Sequence, residues 1–179
     1  MTGTDQTGPD QAGTDQASTR RARAGDSAVL RRMTLWTGML VLVQAGLGMV
    51  VNLYVVVPAH HPGAKPAEYF SGSFRSVIWA IGQGPVALAV HAGLGLVLVL
   101  MALALAVRAA VARTGWVAFT FVLGALLVIG AGFNGASFLD FRMNFSSLLM
   151  ALLALAAAAC YLAGGFLLAP ARGGAPPAR

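Results

Sequence analysis

The chain has 179 residues, of which 58% are hydrophobic and only 10% are charged. Soluble domains carry a charged residue at about a quarter of their positions, so the composition excludes an ordinary soluble domain. It predicts an integral membrane protein that crosses the bilayer several times.

Four long apolar runs divide the sequence: residues 33–57, 85–107, 115–138 and 145–169. About 20 apolar residues in a helix span the hydrocarbon core of a bilayer, so each run predicts one transmembrane helix. The predicted fold is an all-α, four-helix transmembrane bundle with up-down topology. Its longest connection, residues 58–84, joins the first two spans.

The basic residues are unevenly distributed among the tails and connections. Nine lie in the amino tail, the second connection and the carboxyl tail, against three in the first and third connections: Arg20, Arg21, Arg23, Arg31, Arg32, Arg108, Arg113, Arg172 and Arg179, against Lys65, Arg75 and Arg142. Such a bias predicts a multi-pass protein of the cell membrane with both termini in the cytoplasm and the first connection outside.

The net charge of +6 is thereby accounted for by topology, and nucleic acid is not a predicted partner. The predicted partner is the lipid bilayer. A second membrane protein or a second copy of the chain remains open as a further partner.

The amino tail, residues 1–32, begins with a near-repeat, TGTDQ, TGPDQ and AGTDQ, and continues into an arginine-rich stretch. A segment with so few large apolar side chains buries too little surface to offset the entropy of ordering. The prediction is a disordered cytoplasmic tail. The Gly-, Pro- and Ala-rich residues 170–179 predict a second, flexible tail.

In the first span, Gln44, Gly48 and Asn52 recur at a spacing of four and share one helix face. A small residue lets a neighbouring helix approach closely, and amide side chains need partners where there is no water. Interhelical packing and a ligand-facing role are both open for these residues.

The first connection falls into two parts. Three prolines in residues 58–70 predict irregular backbone, and the segment SFRSVIWAI predicts a short helix capped by Ser73. With Trp79 nearby, this helix is predicted to lie in the outer membrane interface. His60 and His61 are adjacent, which is poor spacing for two ligands of one metal; solvated loop histidines are the default interpretation, with ligand binding as the alternative.

His91 is the only ionisable residue of residues 85–107. An ionisable side chain inside a span is costly and marks a candidate site. The segment His91-Ala92-Gly93-Leu94-Gly95 echoes Gln44-Ala45-Gly46-Leu47-Gly48, and its glycines leave room beside the histidine. A partner backbone and a flat ligand are both compatible with that room.

The third span ends with Asn134, Ser137 and Asp140 at a spacing of three. Asp140 and Arg142 are predicted at the outer boundary, where they are positioned to pair, with Asn144 close by. The only cysteine, Cys160, excludes an intrachain disulfide and a CxxC motif. It is interpreted as a small buried hydrophobic residue.

Helix rise places Asn52, His91 and Asn134 at similar depths below the predicted outer surface. They are predicted to form one polar layer, with Gln44 deeper and Asp140, Asn144, His60 and His61 above it. Polar stations are nearly absent from the other half of the spans, which argues against a transport path. The layer is interpreted either as packing or as a site in which His91 binds a metal, a haem iron or a quinone, or acts as a base.

Two resemblances accompany these residues. The pattern Gln44-x-x-Leu47-Gly48-x-x-Val51, together with a helix opening on His91, resembles haem A synthase and related b-type haem membrane proteins. That resemblance implies haem held by histidines on facing helices, but the fourth span has no histidine to serve as the second ligand.

The segments NLYVVVPAHHPG, HAGLGL and GFNGASFLDF resemble small uncharacterised four-helix membrane proteins of high-GC Gram-positive bacteria. This second resemblance implies the four-span topology and no particular activity. Two functions are therefore predicted as alternatives: a redox-linked ligand site built on His91, or a non-enzymatic structural or accessory subunit. Whether the chain is an enzyme is left open.

Overall fold

The computed structural model describes residues 9–112 and 115–169. Within those residues it contains five α-helices and no strand: α1 Pro9–Tyr54, α2 Tyr69–Gln83, α3 Val86–Ala112, α4 Gly115–Phe141 and α5 Asn144–Leu167. The predicted all-α class is confirmed.

Four segments are long and apolar enough to cross a membrane: Gly25–Tyr54, Val86–Val111, Gly115–Phe141 and Asn144–Leu167. They overlap the four predicted spans, with boundaries that shift by up to eight residues. The fifth helix, α2, lies in the first connection, where the sequence predicted a short helix.

The four long helices form a closed ring. Helix α1 packs against α3 and α5, and α4 also packs against α3 and α5, so the diagonal pairs are not neighbours. Consecutive spans are thus adjacent, as up-down topology requires. Helix α2 packs against α3 and α4, and we call the end of the bundle that carries it the α2 end.

Small residues bring α4 and α5 close together. A Cβ atom at Gly164 would overlap the Phe121 ring, and one at Gly124 would lie 3.0 Å from Tyr161 Cζ. Glycine therefore makes room for an aromatic ring on each side of the contact. In a membrane, where lipid tails are as apolar as leucine, this close packing replaces the hydrophobic effect as the force between helices.

The buried apolar residues form two clusters. The larger one, away from the α2 end, includes Val41 of α1, Leu98 of α3 and Phe121 of α4. The smaller one, at the α2 end, includes Val51 of α1 and Leu88 of α3. On both α1 and α3, the residues between the clusters include the two sequence segments that echo each other.

The outer surface of the bundle is apolar on every span. Leu53, Leu100, Leu126 and Leu152 are each more than half exposed, a pattern that a water-facing surface rarely shows over so large an area. Exposed aromatic side chains lie near both ends, among them Trp116 at the start of α4. Aromatic belts of this kind are typical of membrane interfaces.

Helix α1 begins at Pro9 and so includes residues 9–32, where the disordered tail stays a prediction from the sequence. Residues 9–32 are rich in Ala and Arg, which are good helix formers, and they extend a helix already nucleated by the first span. Residues 1–8 and the predicted flexible tail, 170–179, lie outside the described residues.

Candidate functional site

The two echoing segments meet where α1 crosses α3. Gln44 Nε2 donates a hydrogen bond of 2.9 Å to the backbone carbonyl oxygen of His91 and lies 3.5 Å from His91 Nε2. The predicted site residues of the first two spans are therefore direct neighbours. Gln44 had been predicted to lie deeper than the layer that contains His91, and its side chain nevertheless reaches the His91 backbone.

Glycines make this contact reciprocal. A Cβ atom at Gly95 would lie 3.0 Å from Gln44 Nε2, and one at Gly48 would lie 3.0 Å from His91 Cε1. The Gln44 side chain thus lies beside Gly95, four residues after His91, and the His91 ring lies beside Gly48, four residues after Gln44. The sequence left a partner backbone or a flat ligand open for this room, and in the structure side chains of the facing helix lie there instead.

The first glycine of each segment has a different environment. A Cβ atom at Gly46 or Gly93 would meet nothing within 4 Å. These two positions lie on the opposite side of their helices from the crossing, since two residues turn a helix by about 200°. Only Gly48 and Gly95 are therefore required by the contact between α1 and α3.

The contact leaves two polar atoms without partners. Within the described part of the chain, Gln44 Oε1 and His91 Nδ1 are buried and make no hydrogen bond. If Gln44 Nε2 donates to His91 Nε2, the imidazole proton is on Nδ1, because a neutral ring carries one N–H. One acceptor and one donor then remain unsatisfied between the two apolar clusters.

The predicted layer of Asn52, His91 and Asn134 is not joined by hydrogen bonds. Asn134 Nδ2 donates to the carbonyl of Gly130 in its own helix, at 2.9 Å. Asn52 Oδ1 accepts a 3.3 Å bond from Ser147 of α5. Residues at similar depth on separate helices meet only if the helices are rotated so that these residues face one another. Asn52 and Asn134 instead have partners in α5 and in α4 itself.

Asp140 is buried at the α2 end, although it had been predicted at the exposed boundary. Its side chain is 2% exposed. Ser73 Oγ donates to Oδ2 at 2.9 Å, and Ser76 Oγ donates to Oδ1. The predicted pair with Arg142 is wrong, because the serines of α2 take both carboxylate oxygens while Arg142 is exposed.

The role predicted for Ser73 is also wrong. Helix α2 begins at Tyr69 with Glu68 as its N-cap residue, so Ser73 lies in the second turn and does not cap the helix. Ser73 and Ser76 are both buried. Their spacing of three on one face of an otherwise amphipathic helix was the signal in the sequence that these hydroxyls have a buried partner.

Of the two loop histidines, His61 is partly buried and His60 is exposed. The His61 ring stacks on Trp79, with centroids 4.4 Å apart and planes at 15°. His61 Nε2 lies 3.2 Å from the carbonyl oxygen of Leu139. The structure therefore gives His61 a packing role at the α2 end that the sequence did not predict.

Two further residues complete the α2 end. Tyr69, which sequence reasoning missed, hydrogen-bonds through its hydroxyl to Ser137 of α4. Asn144, a predicted boundary residue, is exposed as the first residue of α5. The residues that hold α2 in place are thus Tyr69, Ser73 and Ser76.

The described side chains form no cluster of metal-binding donors. Among residues 9–112 and 115–169, no group of three or more His, Cys, Asp and Glu side chains is placed to hold a metal ion. His91 Nε2 faces Gln44, and the other two histidines lie in the first connection. The histidine pair on facing helices that the haem resemblance implied is not formed by these residues.

Fold and site together define a class: an all-α polytopic membrane protein whose polar side chains in the spans mainly contact other protein groups. Comparisons with protein-family models, with curated proteins and with solved structures found no match.

Proposed function

We propose that the chain is a non-catalytic structural or accessory protein of the cell membrane, in which the polar residues of the spans lock helix packing. The observation that carries this proposal is the reciprocal contact of Gln44 and His91 over Gly95 and Gly48. An amide that donates to the backbone of the next helix fixes both the rotation and the register of the pair.

The other candidate ligands support the same function. Asn134 donates to its own helix, and Asp140 accepts two bonds from α2. Each of these polar groups is therefore bonded to another protein group and does not point into a common ligand pocket. The bond from Ser147 to Asn52 likewise links α5 to α1.

The proposal includes the orientation with both termini in the cytoplasm and the α2 end outside. Its support is the bias of basic residues, nine against three, toward the opposite end and the tails. In this orientation α2 and its exposed residues Phe70, Phe74 and Ile78 lie at the outer membrane interface. The bilayer is the partner of this surface.

Purification in detergent from cells supplied with haem precursors tests the non-catalytic function. We expect a preparation without visible absorption bands and without stoichiometric metal. His91→Gln, which keeps a hydrogen-bonding side chain of similar reach, should then give the same spectrum. A haem band or bound metal in the parent that is lost in His91→Gln would contradict the proposal.

A second candidate function is binding of a lipid-soluble quinone between α1 and α3. The observation that favours it is the pair of unsatisfied buried atoms, Gln44 Oε1 and His91 Nδ1. A quinone carbonyl needs a donor and a quinol hydroxyl needs an acceptor, and these atoms supply one of each.

Organic extraction of the purified protein distinguishes the two functions. A quinone recovered at about one per chain from the parent, and lost from both His91→Ala and Gln44→Ala, would establish the second function. Recovery at the level of the surrounding lipid in all three proteins supports the first. Asn134→Ala serves as the matched control, because its amide bonds within its own helix.

A further inference from the structure

A cavity of about 290 Å³ lies beside the first two turns of α2, where the preceding loop packs against the helix. The residues that line it include Gly63 and Pro66 of the loop, and Glu68, Ser71 and Arg75 at and after the start of α2. Its volume is close to the lower end of the range for small-molecule sites, roughly 300–1,000 Å³. The cavity therefore has room for a small polar molecule or a lipid head group.

Close packing holds the loop in place on one side of this cavity. A Cβ atom at Gly72 would overlap the Pro66 ring, and one at Gly63, whose φ is +97°, would overlap Ser76 Oγ. The Lys65 backbone N–H also donates to the carbonyl oxygen of Asp140 in α4, at 3.0 Å. The loop is thus fixed against α2 and α4, and a site with fixed walls costs a ligand less ordering entropy on binding.

Two opposite charges line the cavity at a distance from each other. Glu68 is the N-cap residue of α2, but its side chain makes no capping hydrogen bond. Arg75 lies seven residues further on, which is about 10 Å along the helix axis, whereas side chains that pair directly on a helix are three or four residues apart. Both residues are exposed. A carboxylate and a guanidinium therefore border one cavity, two turns apart.

The remaining acidic residue near α2 does not serve Arg75. Outside the amino tail, the sequence contains only two acidic residues, Glu68 and Asp140. The Asp140 carboxylate is buried and accepts hydrogen bonds from Ser73 and Ser76. A guanidinium binds phosphate well, and a carboxylate accepts hydrogen bonds from an ammonium group. The complementary ligand is a zwitterion with a phosphate and an ammonium group.

The neighbouring face of α2 indicates that this zwitterion belongs to a lipid. Phe70 and Phe74, which directly precede Ser71 and Arg75 in the sequence, are 64% and 66% exposed. Acyl chains cover such rings at a membrane interface, while the head group stays at the level of the polar residues.

We propose that the cavity binds the head group of a phosphatidylethanolamine-type lipid, with its phosphate at Arg75 and its ammonium at Glu68. The acyl chains lie beside Phe70 and Phe74. This assignment rests on the proposed position of α2 at the membrane interface, and it is independent of the packing role of Gln44.

Retention of lipid by the purified full chain tests the site. The protein is held in mild detergent with equal amounts of phosphatidylethanolamine and phosphatidylglycerol of the same acyl chains, and native mass spectrometry counts each lipid per chain. We expect Arg75→Gln and Glu68→Gln each to retain roughly two- to fivefold less phosphatidylethanolamine than the parent, the effect of losing one exposed ionic contact. Retention of phosphatidylglycerol, which has the phosphate but no ammonium, should fall only in Arg75→Gln.

Arg142→Gln is the matched control, because it removes an exposed cation from the end of α4 next to α2. It should leave phosphatidylethanolamine retention unchanged. Circular dichroism checks the helices, and Arg75→Ala or Glu68→Ala replaces a variant that has lost them. Equal retention in the parent and in both cavity variants would overturn the site. So would an equal loss in Arg142→Gln, which would indicate a general attraction to positive charge.

A second arm uses glycerophosphoethanolamine, the same head group without acyl chains. We expect it to leave the retained lipid in place at stoichiometric concentration. Displacement of the lipid would overturn a lipid as the occupant, in favour of a free zwitterion. Because detergent presents lipid to both ends of the bundle, neither arm depends on which end faces outside, so failure of the site is distinguishable from failure of the proposed orientation.

Discussion

At the scale of single residues, the contact between Gln44 and His91 depends on two glycines, which leave room because they have no side chain. A Cβ atom added at Gly48 would lie 3.0 Å from His91 Cε1, and one added at Gly95 would lie 3.0 Å from Gln44 Nε2. A buried polar group in a membrane must find its partner inside the protein. Glycine at these positions lets the amide of α1 reach the backbone of α3.

Gly48→Ala should therefore destabilise the protein, whereas Gly46→Ala should not. The new methyl group at residue 48 would displace the His91 ring, and overpacking of this kind costs about 1–3 kcal/mol. At residue 46 a Cβ meets nothing within 4 Å, so the higher helix propensity of alanine dominates. The free energy of unfolding, from SDS titration in mixed micelles, checks both variants. Equal effects at the two positions would contradict the packing described.

Tyr161 provides a second residue-scale prediction. Its side chain is 1% exposed, against Phe121 and Gly124, and among the described residues its hydroxyl has no hydrogen-bond partner. Removing an unsatisfied buried polar group is neutral or stabilising, by up to about 1–3 kcal/mol. Tyr161→Phe should thus raise or leave unchanged the free energy of unfolding. A clear loss of stability would show that the hydroxyl is bonded.

At the scale of elements, α2 is held to α4 by polar contacts and not by a large apolar interface. Its buried residues are all small: Gly72, Ser73, Ser76 and Ala80. Its large apolar residues Phe70, Phe74 and Ile78 are exposed. The carboxylate of Asp140 is therefore the main attachment of the helix, since hydrogen bonds to a charged group are stronger than neutral ones.

Ser76→Ala should weaken this attachment. It removes a donor from a buried carboxylate, which costs roughly 1.5–3 kcal/mol, and the loss should appear as faster hydrogen exchange in α2 with little change in α5. Ser71→Ala is the control, because Ser71 is exposed and bonds only Glu68 of its own first turn. If Ser71→Ala and Ser76→Ala raised the exchange rate equally, Asp140 would not be the attachment.

The number and length of the spans were predictable, because apolar run length is a property of each segment alone. Which residues meet was not, because it depends on the rotation of one helix against another. Gln44 and His91 appeared separate when depth alone was considered. The sequence indicated that Ser73 and Ser76 share one helix face. It did not indicate their common partner, Asp140, which is 64 or more residues away in the chain.

At the scale of the whole molecule, the two ends of the bundle differ: one carries the structured α2 helix, and the other carries the exposed basic residues Arg31, Arg32 and Arg108. The larger apolar cluster lies away from α2, and the buried carboxylate lies beneath α2. The two ends are therefore expected to face different compartments.

Cysteine labelling tests that orientation. In a Cys160→Ala background, Ala64→Cys in the first connection should react with a membrane-impermeant reagent in intact cells. Ala175→Cys in the carboxyl tail should react only after the cells are opened. Labelling of both from the same side would contradict the four-span topology with the α2 end outside.

The central claim is that Gln44 and His91 stabilise the bundle through each other. Gln44→Ala measures this directly, because it removes both the 2.9 Å bond to the His91 backbone oxygen and the contact with the His91 ring. The free energy of unfolding is taken on detergent-exchanged protein whose organic extract is analysed in parallel. We expect a loss of about 0.6 kcal/mol, and at most about 1.7, the range of interhelical hydrogen bonds in membranes, with no stoichiometric ligand in the extract. An unchanged free energy of unfolding in Gln44→Ala, or a ligand at one per chain that disappears with His91→Ala, would contradict the claim.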